Sequence, residues 1–424
     1  MKLPEVANAA TGILDNLPGH VTLQDSQDQE ALNMSVTFVR DPEGAEALRT
    51  ALPNQGSVAV DCEAAGFHRY SDRICLLQLS TVHQTWILDP LSVELGPYLR
   101  PVLEDPGVPV LMHGAAYDLR LLKRDLSIEV AGLRDTQVTA SLLGEPSIGL
   151  QALLERHLGV RVSKKHQRAD WARRPLTEEM IDYAASDTRH LHDLSQILDE
   201  KLAAAGRTAW AEEEFGWLMQ SAHDPEPREE VDPLARVKGA RDLDPVECTV
   251  LREGLDWRDE IAQEMDRAPF RVISDQTLVS IAKARPSTLG ELANMKGVSP
   301  RLAKSHGSDL IARIARIEEE APGNLLPYPP SPPRAPRPSP ETEARLDLLK
   351  GVRNRVANET GLERGRVMAN HLLMEIALAN PAQVDALSAV PNIRVWQVEL
   401  MGERILEALG TLAEEAAAPS RGGA

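Results

Sequence analysis

The sequence predicts an α/β domain built on a mixed sheet, followed by two small all-α helical domains. Three observations carry this reading. Short strand-like runs alternate with helical ones from Met34 to about Ala204, only helical periods follow, and the helical part contains a gapless internal repeat. A chain of 424 residues is long for one domain and suggests about three.

Residues 1–33 show no convincing period and form an expected N-terminal arm. The first domain, 34–222, opens with "SVTFV", "SVAVDCEA", "ICLLQLST" and "TWILD". Those strands precede the first strand–helix alternation, "VPVLMHG" and its following helix, so the sheet is expected to be mixed. The acidic, proline-containing "HDPEPREEVDPL" marks a linker over 223–235, and a first helical domain is expected over 236–320. The stretch 321–341, with nine prolines, reads as an extended, poorly folding spacer. A second helical domain over 342–412 and a tail over 413–424 complete the division.

The repeat lies at an offset of 95 residues, where "RVISDQTLVSIAKARPSTLGELANMKGV" overlies "RVMANHLLMEIALANPAQVDALSAVPNI". Val272, Leu278, Ile281, Pro286, Leu292 and Val298 meet Val367, Leu373, Ile376, Pro381, Leu387 and Ile393. So many coincident apolar positions with a shared proline imply two copies of one helical unit.

Composition narrows the function. Sixty-four acids against 46 bases give a formal charge of −18, which argues against a protein that coats nucleic acid electrostatically and leaves only local contacts. No apolar run approaches the roughly 20 residues of a membrane span, and the N-terminus lacks a signal-peptide core, so a cytoplasmic protein without a membrane partner is expected. Cys62, Cys75 and Cys248 are odd in number and set in apolar surroundings; they read as core residues rather than disulfide or zinc partners.

The chemistry concentrates in acids placed where a core does not want them. In "VAVDCEAAGF", Asp61 and Glu63 share one face of a strand because side chains alternate with period two. A solvated edge strand would explain them, yet the apolar "ICLLQLS" that follows suggests a central strand, where unpaired carboxylates are costly. Asp118 in "HGAAYDLRLL" falls in the first turn of a helix, where the helix dipole alone could account for it. In "LTEEMIDYAASDTRHLHDL", capped by Thr177, Tyr183 and Asp187 lie one turn apart on a face shared with Leu191 and Leu194. Four inward acids on three elements suit a pair of hard divalent cations, magnesium or manganese, which prefer oxygen ligands. Two such ions can activate a water and stabilise the leaving oxygen of a phosphodiester, with Tyr183 placed to orient that water.

"DCE", "HGAAYD" and "YAASD" resemble the three exonuclease motifs of the DEDD superfamily, and the tyrosine indicates its DEDDy branch, in particular ribonuclease D. The flanking "DTQVTASLLG" and "HQRADWARRPL" are similar to that family, and the helical repeats resemble HRDC domains. The resemblance runs from about Val36 to Leu409. It implies a ribonuclease H-like fold for the first domain, two metals held by Asp61, Glu63, Asp118 and Asp187, and a water positioned by Tyr183. One departure is that Ala64 and Ala65 follow Glu63, where family members commonly place an aromatic; this counts against base stacking by Phe67 or Tyr70.

Candidate RNA contacts are local. Arg161 to Arg174 holds six Lys or Arg against one Asp, and Lys164, Lys165 and Arg168 beside Trp171 suit a single strand whose phosphates meet charge while a base stacks. A solvated loop with Trp171 in the core is the competing reading. Asp135 reads as a helix cap. In the first repeat, Lys283, Arg285, Lys296, Arg301 and Lys304 accompany one acid, Glu291, whereas the second repeat has Leu378, Asn380, Pro391, Trp396 and Glu399 at those positions. The first copy is therefore expected to touch nucleic acid and the second to serve packing or a protein partner.

The expectation is a monomeric, metal-dependent 3′–5′ exoribonuclease that trims single-stranded RNA 3′ ends, among them transfer RNA precursors, to nucleoside 5′-monophosphates. The substrate comes from the resemblance alone. A 3′–5′ DNA exonuclease and a non-catalytic RNA-binding scaffold stand as alternatives.

Overall fold

A computed structural model describes residues 35–52, 56–163, 165–223, 231–320, 322–330 and 337–417. The expected arm, Lys164 and part of each linker and of the tail lie outside the described residues.

The first strand, β1 (Ser35–Val39), is followed by helix α1 (Pro42–Ala51), which the period reading did not anticipate. Its signals were local: Asp41 accepts from the Gly44 amide at 2.8 Å, and Pro42 occupies the first turn, where its missing N–H costs nothing. Then come β2 (Val58–Ala64), β3 (Ile74–Ser80) and β4 (Gln84–Leu88), α2 (Gly96–Leu103), β5 (Val110–Met112), α3 (Ala116–Leu126) and β6 (Leu133–Asp135). The six strands lie in the order β1-β4-β3-β2-β5-β6. β3 runs antiparallel to β2 and β4, while β1–β4, β2–β5 and β5–β6 are parallel, so the sheet is mixed as expected. β2 is interior, which removes the solvated-edge explanation of its two acids.

Helices α4 (Thr136–Leu143), α5 (Leu150–Leu158), α6 (Glu178–Arg189), α7 (Leu191–Ala204) and α8 (Thr208–His223) complete this part. The helix carrying Tyr183 and Asp187 is not continuous with Leu191 and Leu194, contrary to the single stripe read from the sequence. It ends at His190, whose φ of −102° and ψ of 4° break the helical run. Leu191 and Leu194 instead pack with Ala59, Leu111 and Leu153.

The helical part follows as α9 (Pro245–Glu264), α10 (Pro269–Val272), α11 (Asp275–Ala284), α12 (Leu289–Asn294) and α13 (Pro300–Glu318), then α14 (Pro340–Thr360), α15 (Arg364–Val367), α16 (Asn370–Ala379), α17 (Val384–Ser388) and α18 (Val395–Ala417). Each helix of the second set starts 95 residues after its counterpart, so the repeat extends beyond the stretch that revealed it. Two details show that the copies share more than apolar positions. Arg285 and Asn380 both leave their helices in the left-handed region at φ 45°, each ahead of the shared proline. Arg258 donates to the Ile273 carbonyl and the Asp275 carboxylate, and Arg353, 95 positions on, donates to the Met368 carbonyl and Asn370 Oδ1.

The proline-rich spacer is not wholly extended. Leu325 and Tyr328 pack on the first repeat, where Arg252 donates to the carbonyls of Leu326 and Pro327. Such carbonyls, with few ladder partners in a proline-rich run, are available to a nearby guanidinium. Leu234, placed by the sequence in the preceding linker, is likewise buried in that core.

Both repeats dock on the sheet domain. The first meets the β2–β3 loop, where the Ala268 amide donates to the His68 carbonyl and Tyr70 donates to Asp259 at 2.7 Å. The second meets α8 through Trp396, which is 2% exposed, stacks on Trp210 at 4.8 Å and donates from Nε1 to Glu214 at 3.0 Å. Trp396 stands where the first repeat has Arg301, so a solvent-facing cation in one copy is a buried anchor in the other. Among the described residues no helix is long and apolar enough to cross a membrane.

Candidate active site

The parallel pairing of β2 with β5 involves only Val58 and Ala59, and β5 itself ends at Met112, so β2 has no β5 partner by the time it reaches Asp61. A register shift then falls between Glu63 and Ala64. The end of a central strand is thus freed along its β5 edge while β3 stays paired on the other, and its two acids, projecting off the sheet face, line a cleft of about 660 Å³. α6 crosses the same region and adds Tyr183 and Asp187 to the lining. Ligand atoms of Asp61, Glu63 and Asp187 lie within 4.8 Å of one another.

Asp118 approaches from β5 and the first turn of α3, as the sequence indicated. It is outside that tight group but within its field, since the Asp61 charge, after loss of water, is a leading cause of its raised pKa. Dehydration likewise pushes Asp61 up to about 6, Asp187 to about 8 and Glu63 to about 10, with the neighbouring carboxylates adding to the last two. Among the described residues no cationic side chain offsets the charge of these four acids, so it is left for something else to neutralise. Tyr183 donates to Asp187, and burial followed by nearby carboxylates raises its phenol well above the ordinary value.

What holds Asp118 in place was under-read in the sequence. Asp135 is a cap for α4, accepting from the amides of Gln137 at 2.8 Å and Val138 at 3.1 Å. It also accepts from Gly114 at 3.0 Å and Ala115 at 2.8 Å, the turn that launches α3. Thr136 adds a bond to the Met112 carbonyl and another to His113 Nδ1 at 2.9 Å. His113 lines the cleft, and among the described residues its buried Nε2 has no hydrogen-bond partner. Its only sequence signal was its place in "HGAAYD". Ser163 and Gln167 also line the cleft and were not singled out.

The family models agree with this architecture. One described as a 3′-5′ exonuclease matches residues 36–203, and the HRDC domain matches 249–314 and 342–409. A Nitrobacter hamburgensis protein named Ribonuclease D is 31% identical over 364 residues, covering 84% of this chain and 90% of its own. The chain belongs to the ribonuclease D family. A Pseudomonas paraeruginosa member is 29% identical and covers 88% of this chain and 97% of its own. The crystal structure of Escherichia coli RNase D, 23% identical, shares the fold with a TM-score of 0.62 over 90% of this chain and 99% of that one. The enzyme class is therefore that of a 3′–5′ exoribonuclease with a mixed-sheet nuclease domain and a C-terminal HRDC region.

In this member of the ribonuclease D family, the expected RNA contacts fare unevenly. Trp171 is 1% exposed, packed with Cys75, Leu76, Ile87 and Met180, so the stacking role read from the sequence is corrected: its ring is a core element. Nearby, Arg174 is not free for phosphate. It grips Asp89 through two 2.7 Å bonds and the Cys75 carbonyl. Lys165 pairs with Glu179 at 2.5 Å, while Arg168 is exposed. In the first repeat, Lys283, Lys296, Arg301 and Lys304 are exposed and Arg285 lies 3.7 Å from Glu318.

Proposed function

We propose that this chain removes nucleotides from the 3′ ends of single-stranded RNA as 5′-monophosphates, with two magnesium or manganese ions held by Asp61, Glu63, Asp118 and Asp187. The observation that carries the reading is the convergence of three carboxylates within 4.8 Å at the open end of an interior strand, where among the described residues no cationic side chain lowers their raised pKa values. Hard divalent cations fit an all-oxygen donor set in a dehydrated site, which is also where excess carboxylate charge most needs a counter-ion. Bound there, they lower the pKa of water and stabilise the departing oxygen.

The protein groups perform the remaining work. Tyr183, fixed by its bond to Asp187, orients the attacking water in line with the terminal phosphodiester. Its raised pKa keeps the phenol protonated, so it positions rather than abstracts. His113 Nε2 and Gln167 offer polar contacts to the last nucleotide from the cleft wall. Transfer RNA precursors with 3′ extensions are the substrate we favour, on the strength of the family, with the first repeat's exposed cations holding the body of the RNA.

The test is shortening of matched 5′-labelled RNA and DNA oligonucleotides and of a 3′-extended transfer RNA precursor, with and without Mg²⁺ or Mn²⁺. RNA should shorten stepwise from its 3′ end only with metal. Faster loss of DNA, or RNA cleavage in excess chelator, overturns the proposal.

A further inference from the structure

The β2–β3 loop and the first repeat meet around two rings that the fold leaves in solvent. Phe67 is 44% exposed and Phe270 is 52% exposed, although the chain has only four phenylalanines. Their centroids are 5.6 Å apart with planes inclined at 51°. The Arg271 guanidinium lies 4.6 Å from the Phe67 centroid, and Arg168 lies 5.8 Å from it. Ordinary docking contacts bury such rings, as the second repeat does with Trp396.

The surroundings hold this group still. Arg271 Nε donates to the Phe67 carbonyl at 2.7 Å, and His68 Nε2 bonds the Arg168 carbonyl at 2.9 Å. The nearby acids are engaged elsewhere, Asp170 and Asp266 by Arg69. Among the described residues, neither Arg168 nor Arg271 has a carboxylate partner, so both cations are available to an anion.

The platform adjoins the catalytic cleft. Phe67 stands four residues beyond Glu63, and Arg168 follows Gln167 of the cleft wall at one Cα step, about 3.8 Å. Resting on the functional reading above, we propose that Phe67, Phe270, Arg168 and Arg271 form a stacking platform, shared between nuclease domain and first repeat, for unpaired bases upstream of the 3′ terminus. Bases meet the rings while phosphates meet the two guanidinium groups, a combination suited to single strands because a duplex hides its base faces. The position vacated by Ala64 and Ala65 is thus answered from a different place in the fold.

The test compares an unstructured 12-nucleotide RNA with a trinucleotide too short to leave the cleft. Binding of the 12-mer is measured in chelator, where nothing is cut, and trinucleotide hydrolysis is measured with Mg²⁺. Phe67→Leu and Phe270→Leu keep apolar contact but remove the π face, and Phe67→Tyr keeps it. Each Leu variant should bind the 12-mer about tenfold more weakly, while Phe67→Tyr binds normally and trinucleotide hydrolysis is unchanged. Unaltered 12-mer affinity in the Leu variants overturns the platform while leaving the exonuclease reading intact. Equal loss on both substrates overturns it as well, because it marks a disturbed fold. An unmodified protein that fails to shorten RNA with metal overturns both readings.

Discussion

Replacing Asp135 by Asn tests how the site is assembled, because this residue touches no cluster atom yet fixes where Asp118 begins its helix. It is 1% exposed, and its Oδ1 accepts from Gly114, Gln137 and Val138 while Oδ2 accepts from Ala115. An amide keeps one oxygen. If that oxygen retains the three Oδ1 bonds, the new NH₂ faces the Ala115 N–H, donor against donor. Losing one charge-assisted bond costs about 1.5–3 kcal/mol and stranding a buried donor about 1–3 kcal/mol; some repulsion on Asp118 is relieved, leaving roughly 3–4 kcal/mol. The expected result is a lower denaturant midpoint for the nuclease domain, together with a need for more Mg²⁺ to reach half-maximal RNA cleavage. RNA affinity in chelator should be unchanged, which distinguishes a positioning residue from a substrate contact. A midpoint shift worth under about 1 kcal/mol with an unmoved Mg²⁺ titration would refute the reasoning.

Four further outcomes are expected. Asp61→Asn and Asp187→Asn should each abolish cleavage and keep RNA binding, since they remove ligands without touching the platform; near-normal turnover in either sinks the metal assignment. Tyr183→Phe should slow hydrolysis by about 10²–10⁴ with the Mg²⁺ requirement unchanged, and an unaltered rate would make the tyrosine packing only. The raised carboxyl pKa values give the metal-free fold a stability contribution that is complete below the unfolded value near 4 and lost as pH rises through about 6, 8 and 10 for Asp61, Asp187 and Glu63. Thermal midpoints in chelator should therefore fall from about pH 5 to pH 9, and Mg²⁺ should offset the fall increasingly at high pH; a midpoint that rises with pH contradicts the site's electrostatics. Trp396→Ala should release the second repeat from α8 at a cost of about 3–5 kcal/mol, read as protease sensitivity, without flattening the salt dependence of RNA binding.

Much of this molecule was legible in one dimension because the relevant physics is local. Period-two alternation put Asp61 and Glu63 on one face, helical spacing joined Tyr183 to Asp187, and a constant 95-residue offset disclosed the duplicated helices. Caps were equally readable: Thr177 and Asp135 bond amides two or three residues away. Asp135's grip on Gly114 and Ala115 was not, since it spans two strands that only the sheet brings together.

Tertiary structure decided the exposures. Trp171 and Phe67 are both aromatics near basic residues, and composition favours the tryptophan as the stacking ring. Packing reverses this, because Trp171 fills the space under α6 while Phe67 sits at a junction between domains that only partly covers it. The same holds for the two repeats, where equivalent positions became a solvent-facing Arg301 and a buried Trp396 according to what each copy docks against. Sequence by itself determined which residues could do chemistry and on which local face they lie. Which of them meet depended on contacts between residues far apart in the chain, whose free energy no local pattern contains.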